Sequence, residues 1–222
     1  MNINKKAVVL LSGGLDSATV LYYAIKRGYD CSCILFDYGQ RHKKELECAA
    51  RLAKRNGCKF RVVRISLPWS KSSLTDKKLK IPSSSKLSAL SSDRLSYASL
   101  PSTYVPGRNT IFVSFALSYA ETLGAQTLFI GANAVDFSGY PDCRPDYYLA
   151  WNRLIKALGI KIRIEAPLIR LDKAEIVKLG HRLGVPFGLT WSCYKGGKTP
   201  CGVCDSCRFR EKGFKEAQIA AH

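Results

Sequence analysis

Ala7-Val8-Val9-Leu10-Leu11-Ser12-Gly13-Gly14-Leu15-Asp16-Ser17 is the stretch on which the reading of the fold turns. Residues 7–11 form a short unbroken apolar run, the pattern of a strand buried on both faces of a parallel sheet. After two glycines the rhythm changes, and Ala18, Leu21, Tyr22 and Ile25 recur at helical spacing until Gly28. At such a strand-to-helix turn the helix start offers unpaired N–H groups and positive dipole to an anion. Gly13 and Gly14 permit close backbone approach to a phosphate, Ser12 and Ser17 carry hydroxyl donors, and Asp16 is a candidate Mg²⁺ ligand. The plain alternative is a tight turn followed by a capped helix.

The same alternation continues outward. Residues 31–36 read as a second strand, 43–54 as a helix through Leu46, Ala49, Ala50 and Ala53, and 60–65 as a third strand. Farther on come a helix at 109–123, a strand at 127–130 ending at Gly131, a helix at 146–158 and a short strand at 162–165. Asp172 caps a further helix, with Glu175 three positions on, Ile176, Leu179 and Leu183 on one face, and Gly184 as its stop. Repeated strand–helix–strand units predict an α/β fold, a parallel sheet with helices on both faces. The expected organisation is one domain spanning residues 1–222, with a basic Ser-rich insertion at about 66–106 and a cysteine segment at about 191–214. The insertion carries Lys71, Lys77, Lys78, Lys80, Lys86 and Arg94 against Asp76 and Asp93, and reads either as a mobile flap or as a flexible spacer.

Composition narrows the classes. Hydrophobic residues make up 46% and charged residues 23% of the 222, which excludes a wholly disordered chain. No apolar run approaches the roughly 20 residues that cross a bilayer. Lys and Arg number 35 against 17 Asp and Glu, a net charge of +18. That surplus draws polyanions such as RNA, DNA or phosphorylated small molecules, or else marks a lysine-rich soluble surface with no partner. Nine cysteines with no evident leader point to a reducing cytoplasm rather than a disulfide framework. Cys193-x7-Cys201-x2-Cys204-x2-Cys207 supplies four thiolates on a glycine-containing turn, the spacing of a closed tetrahedral Zn²⁺ site, with an iron–sulfur cluster as competitor. Cys31, Cys33, Cys48 and Cys58 read as small core residues, and Cys143 as a pocket-lining or reactive thiol.

The run Ser12-Gly13-Gly14-x-Asp16-Ser17 arises by chance in a chain of this length only on the order of 10⁻⁴ of the time. It is not a Walker A loop, because no lysine follows the last glycine; Gly197-Lys198-Thr199 has that ending but Ser192 stands where the leading glycine belongs. The run resembles the PP-loop of the ATP pyrophosphatases. Further segments narrow the resemblance: Asp37-Tyr38-Gly39-Gln40-Arg41-His42, Val105-Pro106-Gly107-Arg108-Asn109, Ser138-Gly139-Tyr140-Pro141-Asp142-Cys143-Arg144, Trp191-Ser192-Cys193-Tyr194 and the final cysteine run. Together they resemble the 7-cyano-7-deazaguanine (preQ0) synthases over about residues 7–214, the insertion least.

The resemblance implies a Rossmann-like fold of the adenine nucleotide alpha hydrolase kind, a cytoplasmic homodimer, structural zinc, ATP as co-substrate and Mg²⁺. It also implies a C–N-forming ligase that turns 7-carboxy-7-deazaguanine and ammonia into the nitrile, releasing AMP and pyrophosphate. Two adenylations are required, first of the carboxylate and then of the amide oxygen. On this reading Leu10, Leu11, Ser12, Gly13, Gly14, Leu15, Asp16, Ser17 and Gly131 hold the nucleotide. Arg108, Asn109, Asp142 and Arg144 hold the substrate, with Asp142 and Arg144 reading the deazaguanine or simply paired with each other. Asp16, Ser12, Arg108 and Arg144 are the expected catalytic set, and His42 a nearby residue without an assigned role. Two rivals remain: an enzyme that uses the same turn to adenylate a base in tRNA, and a basic zinc-containing nucleic-acid-binding module.

Overall fold

The computed structural model of the chain describes residues 5–83, 100–135 and 140–220. Five strands, β1 (Lys5–Leu10), β2 (Tyr29–Asp37), β3 (Lys59–Arg64), β4 (Thr127–Ile130) and β5 (Arg163–Glu165), form one parallel sheet in the order β3-β2-β1-β4-β5. The connecting helices are α1 (Leu15–Lys26), α2 (Lys44–Arg55), α3 (Arg108–Thr122), α4 (Pro145–Ala157) and α5 (Lys173–Arg182), and α6 (Asp205–Ala217) closes the chain. The alternating strand residues sort the core into two layers. Val9, Leu11, Cys33, Leu35 and Phe129 pack under α1, α2, α5 and α6. Val8, Ile34, Phe36, Leu128 and Ile164 pack under α3 and α4, where Phe36 stacks on Phe112 with centroids 4.0 Å apart. The central strands β1, β2 and β4 are therefore buried on both faces, as the continuous apolar runs predict, whereas the edge strand β3 has no buried residue.

Every expected strand and helix up to residue 184 is present within a few residues, and Asp172 and Glu175 form the predicted reciprocal cap, each side chain accepting from the other's backbone N–H at 2.8 Å. The helix α6 was not foreseen. Its sequence is strongly polar on balance, and its first turn lies inside the cysteine run, which reads locally as a metal loop.

The sheet order reverses between β1 and β4, whose neighbours lie on opposite sides. Loops diverge there, and an open parallel sheet leaves its ligand crevice at the carboxyl ends of such a strand pair. The described arms of the insertion fold back over this edge: the Ser73 N–H donates to the Ser102 carbonyl at 2.7 Å, and Leu74 and Thr103 are buried. The rest of the insertion, residues 84–99, including Lys86, Asp93 and Arg94, lies outside the described residues.

Candidate functional site

A cleft of about 270 Å³ opens at the β1/β4 switch point. Its floor is the glycine turn, which a single hydroxyl organises. Ser17 Oγ accepts the N–H groups of Ser12 (3.2 Å) and Gly13 (3.1 Å), lies 3.0 Å from Ser12 Oγ and donates to the Gly14 carbonyl at 3.1 Å. Ser17 thus holds the turn in shape, while the first N–H groups of α1 face the cleft without intrahelical partners. Gly13 is required for packing: its φ is +85°, and a Cβ there would lie 2.2 Å from the Glu45 carbonyl of α2. At Gly131 a Cβ would lie 2.9 Å from Ser17 N, so this glycine lets α1 seat against the end of β4.

Leu10, Leu11, Ser12, Gly14, Leu15, Asp16, Ser17, Gly131, Arg108 and Asn109 all line the cleft. Asp142 does not. It is buried behind the wall, where its carboxylate accepts the Asn109 N–H at 3.4 Å and its carbonyl accepts the Tyr148 hydroxyl at 3.2 Å. Burial pushes the Asp142 carboxyl up, with Arg108 opposing, so Asp142 backs Arg108 from the rear. Arg144 is exposed at the N-cap of α4, outside the cleft lining. Ser138 and Gly139 of the same segment lie outside the described residues.

The structure also brings in residues that the linear reading passed over. Lys173 Nζ reaches both carboxylate oxygens of Asp16 at 2.8 Å, bridging the first residues of α5 and α1. A Cβ on Gly213 of α6 would lie 2.4 Å from Lys173 Cγ, so the two helices approach closely enough to hold the lysine stem. From α6, Ser206, Phe209 and Arg210 also line the cleft, Arg210 anchored by Thr190 Oγ1 at 2.8 Å and the Phe187 carbonyl at 3.0 Å. Both carboxylate oxygens of Asp16 are engaged by the ammonium, which leaves it a poor resident Mg²⁺ ligand in this state. Among the described residues the cysteines form the one cluster able to hold a metal.

Tyr38, Gln40, Glu45, Arg108, Phe112, Thr103, Tyr140 and Tyr194 make a polar-aromatic wall of the cleft. Burial pushes the Glu45 carboxyl up to about 7, with the Arg108 guanidinium opposing. His42 also lines the cleft, packed edge-on to Trp191; burial holds its imidazole below the usual range, against hydrogen bonds to the Cys193 and Tyr194 carbonyls. Burial pushes the Cys143 thiol up to about 12, so it lines the cleft as a neutral group and not as a thiolate.

The ligand atoms of Cys193, Cys201, Cys204 and Cys207 all lie within 4.8 Å of one another, with the Cys201 and Cys207 sulfurs 4.0 Å apart. Four thiolates at about 2.3 Å from a zinc ion would stand roughly 3.8 Å apart, so the cluster fits that ion. Burial disfavours ionisation of Cys201, but the Val203 and Cys204 N–H groups outweigh it and bring the thiol down to about 6. Cys204 caps α6 and Cys207 lies in its first turn, where burial pushes both thiols up. The cluster is tied to the glycine turn: the Trp191 N–H donates to the Gly13 carbonyl at 2.9 Å and the Trp191 indole N–H to the Cys193 carbonyl at 2.8 Å. Lys44 Nζ lies 4.2 Å over the Trp191 ring and donates to the Lys198 carbonyl at 2.8 Å, which absorbs the Walker-like lysine segment into the wall.

The family described as queuosine biosynthesis protein QueC matches residues 6–218. The chain belongs to the QueC family. Among its relatives, the 7-cyano-7-deazaguanine synthase of Nostoc sp. PCC 7120 is 51% identical over 220 residues, covering 95% of this chain and 93% of that one. The 7-cyano-7-deazaguanine synthase of Thermoplasma acidophilum is likewise 51% identical over 220 residues, covering 96% and 89%. Solved structures resemble this QueC-family chain in fold. The NMN synthetase of Francisella tularensis has a TM-score of 0.50 at 15% identity, covering 98% of this chain and 88% of its own. A 4-thiouridine synthetase–RNA complex with bound ATP has a TM-score of 0.50 at 20% identity, covering 97% and 54%.

Proposed function

We propose that this QueC-family chain is a 7-cyano-7-deazaguanine synthase, converting 7-carboxy-7-deazaguanine and ammonia to the nitrile with release of AMP and pyrophosphate. One observation carries the reading: a single cleft joins the SGGxDS turn, with Asp16 and Lys173, to a wall bearing Arg108, Asn109 and Glu45. The phosphate end and the acceptor end of a nucleotidyl transfer are thereby neighbours.

A carboxylate resists nucleophiles because its charge is delocalised. Transfer of an AMP group from ATP to one carboxylate oxygen gives an acyl adenylate and pyrophosphate; ammonia then forms the C–N bond as AMP leaves with that oxygen. Adenylation of the resulting amide oxygen, followed by loss of AMP and of both N–H protons, leaves the nitrile. The α1 N-terminus, Lys173 and Arg210 are suited to bind and orient the phosphates, and Arg108 to hold the carboxylate. Mg²⁺ enters with the triphosphate and neutralises part of its charge. Zinc on the four cysteines is structural, since a closed thiolate set leaves no position for water. A cytoplasmic location suits free thiolates. A homodimer belongs to the same reading, supported by exposed Leu149, Leu154 and Leu158 on α4.

The test is incubation with ATP, Mg²⁺, ammonium and 7-carboxy-7-deazaguanine, with AMP and nitrile followed by chromatography. The expected result is two AMP per nitrile, without RNA. ADP in place of AMP overturns α–β cleavage, and turnover that requires added tRNA transfers the turn to an RNA-modifying role.

A further inference from the structure

Two groups in the cleft have no function in the phosphate chemistry. Glu45, in the first turn of α2, presents its carboxylate to the cleft, and among the described residues no hydrogen bond or ion pair reaches it. Arg108, the first residue of α3, lines the same cleft, and its charge acts on the Glu45 carboxyl. The guanidinium lies 5.7 Å from the Tyr38 ring centroid and 5.9 Å from that of Phe112, and its Nε is 3.4 Å from Asn109 Oδ1. These contacts leave most of its five N–H donors for a ligand. A carboxylate and a guanidinium that line one cleft, the guanidinium backed by Asp142 on its far side, form an acceptor–donor set for a ligand. Both side chains are only partly buried and face the cleft, so a ligand seated there can pair with both.

We propose that Glu45 and Arg108 together read the 2-amino-4-oxopyrimidine edge of the substrate, Glu45 accepting from the ring N–H and the exocyclic amine and Arg108 donating to the neighbouring carbonyl. This rests on the function proposed above and names how that cleft selects its base. The edge presents two adjacent donors and one acceptor, the complement of a carboxylate beside a guanidinium. In a 7-carboxy-7-deazaguanine the carbonyl and the carboxylate lie on the same side of the bicycle. One guanidinium can therefore serve both, which keeps Arg108 near the reacting carboxylate while Glu45 takes the far edge. Asp142 behind Arg108 and the aromatic rings around it fix the guanidinium in position.

The experiment compares the natural acid with its analogue lacking the exocyclic amine, in wild type and in Glu45→Gln, by calorimetric binding and by nitrile formation. An N–H bond to a buried carboxylate predicts that wild type prefers the aminated acid by about 10- to 100-fold. Glu45→Gln should bring that preference to within about threefold while the Kd for ATP stays unchanged; Glu45→Ala serves if the glutamine variant misfolds, and the wild-type comparison stands without any variant. Equal binding of the two acids by wild type overturns the proposal, as does a glutamine variant that weakens both acids equally, the mark of a general base or a structural role. If wild type binds the acid with the stated preference but makes no nitrile, the proposed reaction fails while the reading of Glu45 stands.

Discussion

Asp16 and Lys173 are 157 positions apart, and their ion pair lies in the cleft lining. Removing the ammonium strands a carboxylate at the start of α1; a fully buried pair would cost about 3–5 kcal/mol on losing one partner, and cleft water reduces this to roughly 1–3 kcal/mol. Lys173→Met should lower the melting temperature by about 3–10 °C, as seen by calorimetry, and cut AMP release by about 100-fold or more. Adding Asp16→Asn should recover stability but not activity; recovery of both would remove the pair from phosphate handling. Asp16→Ala alone should abolish AMP release and leave the zinc content unchanged by metal analysis. Glu45 yields a pH prediction. Burial, opposed by Arg108, sets its carboxyl at about 7, and only the ionised form accepts two N–H groups. The other titratable groups that face it, Tyr38, Cys48 and Tyr194, are raised and stay neutral below pH 8. Affinity for the acid should therefore be about tenfold weaker at pH 6 than at pH 8, where a pKa near 7 gives about one-tenth against nine-tenths ionised. In Glu45→Gln this dependence should vanish.

At the scale of elements, α6 does two jobs with one end. Its first turn carries Cys204 at the cap and Cys207, and the same helix supplies Phe209 and Arg210 to the cleft and Gly213 to the Lys173 stem. The four-cysteine cluster is thus joined to a wall of the site, and the Trp191–Gly13 bond ties it to the turn itself. Structural zinc in isolated peptides corresponds to roughly 10–16 kcal/mol of binding energy, so chelation should lower the melting temperature by at least about 10 °C. Below that new transition, the Kd for ATP should rise about tenfold or more, and readdition of zinc should restore it. Unchanged ATP affinity in zinc-free, folded protein would confine the cluster to the tail. The capping box at Asp172 was legible because it is a local pattern four residues long. The helix α6 was not, because its polar, cysteine-marked sequence lacks a broad apolar stripe and is held by the metal end and by packing on α5.

Over the whole molecule the net charge is +18, and the cleft lining carries Arg41, Arg108, Lys173 and Arg210 out of 35 lysines and arginines. Non-specific contact with tRNA should weaken by about 100-fold or more between 50 and 200 mM salt, while turnover of the free acid changes less than about threefold. A steep salt dependence shared by both would make RNA part of the reaction. The chain order of strand, glycine turn and helix, together with the cysteine spacing, was enough to predict the parallel sheet, the glycine turn between β1 and α1 and the grouping of the four cysteines, because each depends on residues close in sequence and on periodicity. Long-range packing alone decided which side chains face the cleft. It moved Asp142 behind Arg108 and left Arg144 on the surface, since one step of the short turn at Pro141–Cys143 points a side chain inward or outward. It likewise assigned Gly13 to clearance against α2 and Ser17 to holding the turn, and it brought Lys173, Arg210 and Glu45 to the site. Their positions come from helices that converge on the sheet edge from distant parts of the chain, and no spacing rule along the sequence carries that information.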